Sequence, residues 1–255
     1  MTNIDILQIA MEQSAEDIGC KVDDFISDEK IAVPYMPGKN AKKYYKPTMG
    51  ALFISYGNNI VAAAIKEYYK IVNEYIHDFQ FYHCMETPNL HCLIERLATM
   101  EQTVCLMSEF YLPDLDRLKC LPCEYDLKIL QPADFEGLYF EGWNNALCYE
   151  RKHLDKLCVG AYDGDTLVGL AGCSADAEQM WQIGVDVRPG YRRKGIASAM
   201  TSRLACEILE RGKVPFYCSA WSNMRSVRNA IKSGFIPTWV EMTVQPRAEV
   251  DELNY

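Results

Sequence analysis

Short apolar runs and amphipathic stretches alternate along the chain, and their rhythm changes near residue 120. Ala51-Leu-Phe-Ile-Ser-Tyr56 is a brief β-prone run, with turn chemistry behind it in Gly57-Asn58-Asn59. Over 60–79 the residues Ile60, Ala63, Ala64, Tyr68, Ile71, Val72, Tyr75 and Phe79 recur at helical spacing and predict one long helix. A second helix is predicted over 90–100. Tyr111-Leu-Pro-Asp and Cys120-Leu-Pro-Cys read as a linker, which places the domain boundary between 122 and 123.

Beyond that point short strands alternate with helices. Strands are predicted over 125–130, 157–162, 166–173, 180–187, 215–221 and 235–244. Asp163-Gly164-Asp165 is a hairpin signal, and Pro189-Gly190 closes the fourth strand. Gln131-Pro-Ala-Asp opens a helix. The stretch 196–211 is an amphipathic helix stopped by Gly212, and 223–233 is a helix ended by Gly234. The order β-α-β-β-β-α-β-α-β predicts an α/β domain over 123–255. A smaller α/β or α+β domain over 1–122 precedes it.

Composition narrows the function classes. The chain has 255 residues, 49% of them hydrophobic and 24% charged, so it can bury a core without disulfides and is not a disordered chain. Its net charge of −9 argues against general nucleic-acid binding. No stretch of 18 residues is apolar and free of charge, so no membrane span is expected. The opening Met-Thr-Asn-Ile-Asp-Ile has no basic flank, unlike a signal peptide. Eleven cysteines then read as reduced thiols, which points to a cytoplasmic protein. The lone Cys-x-x-Cys, Cys120 and Cys123, lacks a second pair at zinc spacing, and no metal is expected.

The chemistry concentrates in Val185-Asp-Val-Arg-Pro-Gly-Tyr-Arg-Arg-Lys-Gly-Ile-Ala197. A strand ends, Arg188, Arg192, Arg193 and Lys194 cluster, and Gly195 leads into a helix. The first amides of a helix lack internal partners and its dipole favours an anion, so this is a recipe for a phosphate site. A solvated basic turn is the plainer reading. Walker and dinucleotide spacings are both absent.

Arg192-Arg-Lys-Gly195-Ile-Ala197 fits the Arg/Gln-x-x-Gly-x-Gly/Ala signature, and at this point the chain resembles the GNAT superfamily of acyl-CoA-dependent N-acetyltransferases. Val185-x-Val187-x-Pro189, Asn223 and Gly234-Phe235 match at family spacing, as does the element order over 124–244. The resemblance implies a mixed central sheet flanked by helices, and that backbone groups of Val185 and Val187 pair with the pantetheine arm of acetyl-CoA. It also implies that amides from Arg193 through Lys194, Gly195, Ile196 and Ala197 cradle the pyrophosphate, with Arg192 and Lys194 adding charge. Asn223 and Ser226 would face the thiol end. Trp143, Asn144 and Asn145 fall in a region that often lines the acceptor pocket, although a core role for Trp143 suits the sequence equally.

The chain also departs from the family pattern. The usual tyrosine position is Ala230, so a proton donor would be Tyr217, Ser219 or water, or none is needed because a thiolate is a tolerable leaving group. The usual glutamate position falls on Trp181, which leaves Glu178 and Asp186 as the nearest candidate bases, with Asp176 weaker. Trp181, Trp221 and Trp239 read as packing residues.

These features imply an N-acetyltransferase that moves an acetyl group from acetyl-CoA to a small-molecule amine by direct attack. The alternative is a non-catalytic acyl-CoA-binding sensor or regulatory module. The role of the first 122 residues is unread, an acceptor-site lid being one candidate, and a homodimer is left open.

Overall fold

A computed structural model describes residues 1–253. In chain order the first half holds helix α1 (Asn3–Ile18), strands β1 (Ile31–Pro34), β2 (Ala51–Ser55) and β3 (Val61–Ala64), helices α2 (Tyr69–Asp78) and α3 (Thr87–Ala98), and strand β4 (Gln102–Pro113). Strand β5 (Asp126–Leu130), the one-turn helix α4 (Pro132–Phe135), and strands β6 (Asp155–Asp163), β7 (Thr166–Ser174) and β8 (Met180–Val187) follow. Helix α5 (Ile196–Glu210), strand β9 (Val214–Ala220), helix α6 (Met224–Lys232), strand β10 (Phe235–Pro246) and helix α7 (Arg247–Asp251) complete the chain.

By its contacts the chain divides into two compact units, each of them discontinuous. One comprises Met1–Ile9 and Tyr111–Pro237; the other comprises Ala10–Phe110 and the residues from Thr238 onward. A single cut at 122/123 therefore differs from the observed division. Residues 240–244 of β10 pair antiparallel with β2, Val240 opposite Ser55 and Val244 opposite Ala51, and this pairing draws the last segment into the second unit. Tyr111–Pro113, read from sequence as linker, is the buried end of β4.

The first unit carries the strand order β9-β8-β7-β6-β5. Strands β5 to β8 are antiparallel neighbours, and β9 runs parallel to β8. Period-2 alternation sorts β6 between two cores: Leu157, Val159 and Ala161 pack with Met200, Leu204 and Ile208 of α5, while Cys158 packs with Phe135, Trp143 and Leu147. Strands β6 and β7 are covered on both faces, which is why they read as nearly unbroken apolar runs.

The second unit carries β1-β3-β2-β10-β4. Phe53, Val72, Tyr75, Ile76, Leu93, Leu97 and Met242 share its core. The predicted helix over 60–79 is in fact strand β3 followed by α2. Val61–Ala64 pairs with β1 on one edge and β2 on the other, and all four residues are fully buried. With both faces covered, no polar position marks the alternation, and small apolar residues mimic a helical period.

A charged cluster lies inside the second unit. Lys42 Nζ is 2.6 Å from Asp17 and 3.5 Å from Glu241, and none of the three is exposed beyond 5%. Tyr45 donates to Glu241 at 2.7 Å and Trp239 Nε1 donates to it at 2.8 Å. Burial opposes the Lys42 ammonium, but the two carboxylates outweigh it and hold its pKa above the usual lysine value.

Candidate active site

Strands β8 and β9 pair from Met180 opposite Val214 to Ile183 opposite Tyr217, and there the ladder stops. Strand β8 runs on to Val187, still paired with β7 from Gly184 opposite Gly172 to Val187 opposite Gly169. Gly184–Val187 therefore has no strand partner on its β9 side. An extended ligand can add to such an edge as a strand would. Val185 and Val187 lie on it, although the Val187 carbonyl already accepts Arg192 Nε at 2.9 Å.

The edge leads into the loop ahead of α5. After a 3₁₀ turn at Pro189–Tyr191, Arg193 (φ 66°) and Gly195 (φ 82°) take left-handed backbone while Lys194 between them does not. Alternating hands turn successive N–H groups to one side and form an anion-binding concavity. The first bond closing α5 runs from Ala199 N–H to the Gly195 carbonyl at 3.0 Å, so the amides of Ile196, Ala197 and Ser198 have no partner within the helix. The glycine face is open: a methyl added at Gly195 would meet nothing nearer than Lys232 Nζ, at 3.7 Å. Convergent amides, an open face and an ammonium fit a phosphate or diphosphate.

The basic side chains of this loop are distributed more widely than its sequence suggests. Lys194 Nζ donates to Tyr125 Oη at 2.9 Å and lies over the Tyr125 and Tyr191 rings. The Arg188 guanidinium lies 5.7 Å from the centroid of Trp143. At the start of α6, Asn223 Oδ1 accepts the Ser226 N–H at 3.3 Å and caps the helix. Ser226 Oγ is 3.3 Å from Tyr217 Oη. Tyr217 is buried in the core that holds Ala230 and Phe235, and burial raises its phenol above the usual value.

The other wall is the segment 143–147. Gly172 and Gly184 face each other across β7 and β8, and a side chain at either would overlap the carbonyl oxygen of Ala146 or Asn145. The paired glycines thus make a dent that receives this backbone. Asp186 fastens it, accepting Asn145 N–H at 2.9 Å, Asn145 Nδ2 at 2.6 Å and Ala146 N–H at 3.0 Å. Asp186 is accordingly an anchor whose oxygens are engaged, and Asn145 reaches the site through it. Trp143 is only 2% exposed and packs with Phe135 and Leu147, which favours its core role; Asn144 is exposed beside it. Glu178 is exposed on the bend before β8, and Asp176 is buried against Arg151 at 2.9 Å. Contrary to its packing assignment, Trp221 is 63% exposed.

The family model for the Acetyltransferase (GNAT) family matches residues 124–235. This stretch is a GNAT acetyltransferase domain. No curated protein matches the chain. Among solved structures, the chain is similar to a GNAT-family protein from Novosphingobium aromaticivorans DSM 12444 (20% identity, 56% of this chain and 66% of that one, TM-score 0.41). It is also similar to a GCN5-related N-acetyltransferase-like protein from Streptococcus suis 89/1591 (21% identity, 62% and 68%, TM-score 0.46). A third is yncA from Salmonella typhimurium, solved with its cofactor acetyl-CoA (18% identity, 47% and 91%, TM-score 0.37). The chain spans about two thirds of the length of the first two.

Within the GNAT domain, sequence reasoning passed over Gly172, Gly184 and Lys232. The glycines did carry a signal, since an isolated glycine inside a strand marks a close backbone approach. Lys232 carried none: only the fold brings the end of α6 to Gly195. Among the described residues no group of three or more His, Cys, Asp or Glu is arranged to hold a metal, and no helix is long and apolar enough to cross a membrane.

Proposed function

We propose that the GNAT domain transfers an acetyl group from acetyl-CoA to the amine of a small molecule by direct attack. The observation that carries this reading is the half-paired edge Gly184–Val187 leading into the amide cradle at Arg193–Ser198. Acetyl-CoA, when bound, supplies the activated acetyl thioester. Backbone groups of Val185 and Val187 pair with its extended arm, and the amides of the loop, with Lys232, hold its diphosphate. An N–H on the same open edge is placed to steady the negative charge that develops on the acetyl oxygen.

A free amine has a pKa near ~10 and must be delivered uncharged. Asp186 already accepts three hydrogen bonds and serves as a positioning residue, so Glu178 is the remaining candidate base of the pair. Tyr217, kept protonated by burial and directed toward α6, is the candidate donor to the departing thiolate in place of a residue at Ala230. All eleven cysteines are thiols, which fits a cytoplasmic residence.

The engaged oxygens of Asp186 favour a second reading, a non-catalytic acyl-CoA sensor. Calorimetry with acetyl-CoA and a thiol-release assay with polyamines, aminoglycosides and amino acids separate the two. Binding with turnover supports the enzyme, and binding without turnover of any amine gives the sensor; no binding overturns both. In an active enzyme, Asp186→Asn is expected to leave the acidic limb of the pH–rate profile in place, and a flattened limb would make Asp186 the base.

A further inference from the structure

Segment 114–123 carries Cys120 over helix α5 within the first unit and is fastened at three points. Asp114 N–H donates to the Gly234 carbonyl at 2.9 Å. Leu118 lies against Gly234, where an added methyl would stand 2.7 Å from the Leu118 Cα. Leu121 N–H donates to Ser202 Oγ at 3.1 Å. Ser202 is buried in α5, and Cys206 follows it by four residues on the same face of the helix. The contact of Leu121 with Ser202 thus brings two cysteines together, and their side chains meet: Cys206 S–H donates to Cys120 Sγ.

The two thiols differ in setting. Cys120 is exposed, so it is the thiol that a reagent from solvent meets first. Cys206 is half-buried behind it, and burial, then the hydrogen bond to Cys120, pushes its thiol up to about 12. Arg203, paired with Glu207, stands beside both. Cys123 has a different surrounding, since it packs inward against the core that holds Met200 and Leu204. Among the described residues no group of three or more His, Cys, Asp or Glu could hold a metal, so the pair is not part of a metal site.

We propose that Cys120 and Cys206 are a thiol modification site, forming a reversible disulfide with a low-molecular-weight disulfide as oxidant. Cys120 Sγ, as its thiolate, attacks one sulfur of the small disulfide. That S–S bond breaks, and the first small thiol leaves with the Cys120 proton. Cys206 Sγ then attacks Cys120 Sγ in the mixed disulfide and displaces the second small thiol, which takes the Cys206 proton. Two protein thiols lose two electrons and two protons, and one small disulfide becomes two small thiols. Sulfurs already in hydrogen-bond contact need only a short approach to reach the S–S distance of about 2.05 Å. Excess small thiol runs both steps backwards, so the bridge follows the ratio of oxidised to reduced thiol around the protein. Neither cysteine belongs to the candidate cofactor site, and the bridge does not rest on the acetyltransferase reading.

The test equilibrates the reduced full chain with mixtures of glutathione and glutathione disulfide and quenches in acid. The remaining thiols are then alkylated and the peptides mapped by mass. The expected product is a peptide linking Cys120 to Cys206 that dithiothreitol removes. Cys206→Ser should trap the first step and raise the Cys120–glutathione adduct at least about tenfold, while Cys123→Ser should leave the link in place. A link from Cys120 to Cys123 overturns the proposal, as does an unmutated chain in which Cys120 keeps a lasting glutathione adduct. A Cys120 that stays alkylatable at every ratio overturns it equally. So does loss of the Cys120–Cys206 link in a Cys123→Ser chain whose circular-dichroism melt shows it folded.

Discussion

Lys42 in the second unit and the loop 188–195 in the GNAT domain use positive charge in opposite ways. Lys42 is sealed from water, and every strong partner it has comes from the protein: Asp17, Glu241 and the nearby rings of Tyr45, Phe110 and Trp239. The carboxylates are themselves satisfied by Gln13, Tyr45, Trp239 and the Lys42 amide. The loop does the reverse. Its backbone hands alternate so that amides converge with no partner in the helix, and Arg193 stays exposed. Charge whose partners are all internal fixes a fold, and charge left with open valence is held for a ligand.

The largest break of this contrast is Lys42→Met, which strands two buried carboxylates. It should cost about 3–5 kcal/mol of stability in urea unfolding. Neutralising the carboxylates as well, with Asp17→Asn and Glu241→Gln, should recover part of that loss; no recovery would mean that packing rather than charge sets the cost. Next, Gly195→Val closes the open face at φ 82°. Acetyl-CoA affinity by calorimetry should fall roughly a hundredfold, about 2.7 kcal/mol, while stability drops only about 1–2 kcal/mol from left-handed strain. Unchanged affinity would refute the phosphate-loop assignment.

The smallest effect lies on α5, where charge pairs at the surface. Glu207 sits below its ordinary value of 4.5, chiefly because Arg211 donates to it, with Arg203 adding to the effect. Its contribution is therefore complete above pH 4.5 and is lost as pH falls through the lower folded-state value. Glu207→Gln should remove that part of the acid-side slope, a change within about 1 kcal/mol. A slope that is identical in the variant would show the pair to be idle.

The parts of the fold legible in the sequence were those that local chemistry punctuates. Gly164 at φ 58°, Pro189, Gly212 and Gly234 mark turns that only a few residues can make, so strands β5 to β9 and helices α5 and α6 could be placed nearly to the residue. Strand β3 could not, because burial on both faces erased its alternation. Nor could the membership of residues 238–253 in the second unit, since the β2–β10 pairing joins residues about 190 apart and leaves no local trace. At the site, the loop was legible because glycine and basic residues are its mechanism. The wall was not, because Asp186 reads as a catalytic carboxylate until its three donors are seen. Trp143 and Trp221 carried the same ambiguity in sequence, and the structure buries the first while exposing the second.

The open flank of β8 has a consequence for the protein's lifetime in a cell. Four strand residues paired on one side only are a small template for another chain, the kind of edge that seeds aggregation when left bare. A cofactor arm lying along Gly184–Val187 would cap that template. A ligand that binds only the folded chain and stands at a hundredfold excess over its dissociation constant would add about 2.7 kcal/mol to the native state. The supply of such a ligand would then bear on how long each copy survives proteolysis.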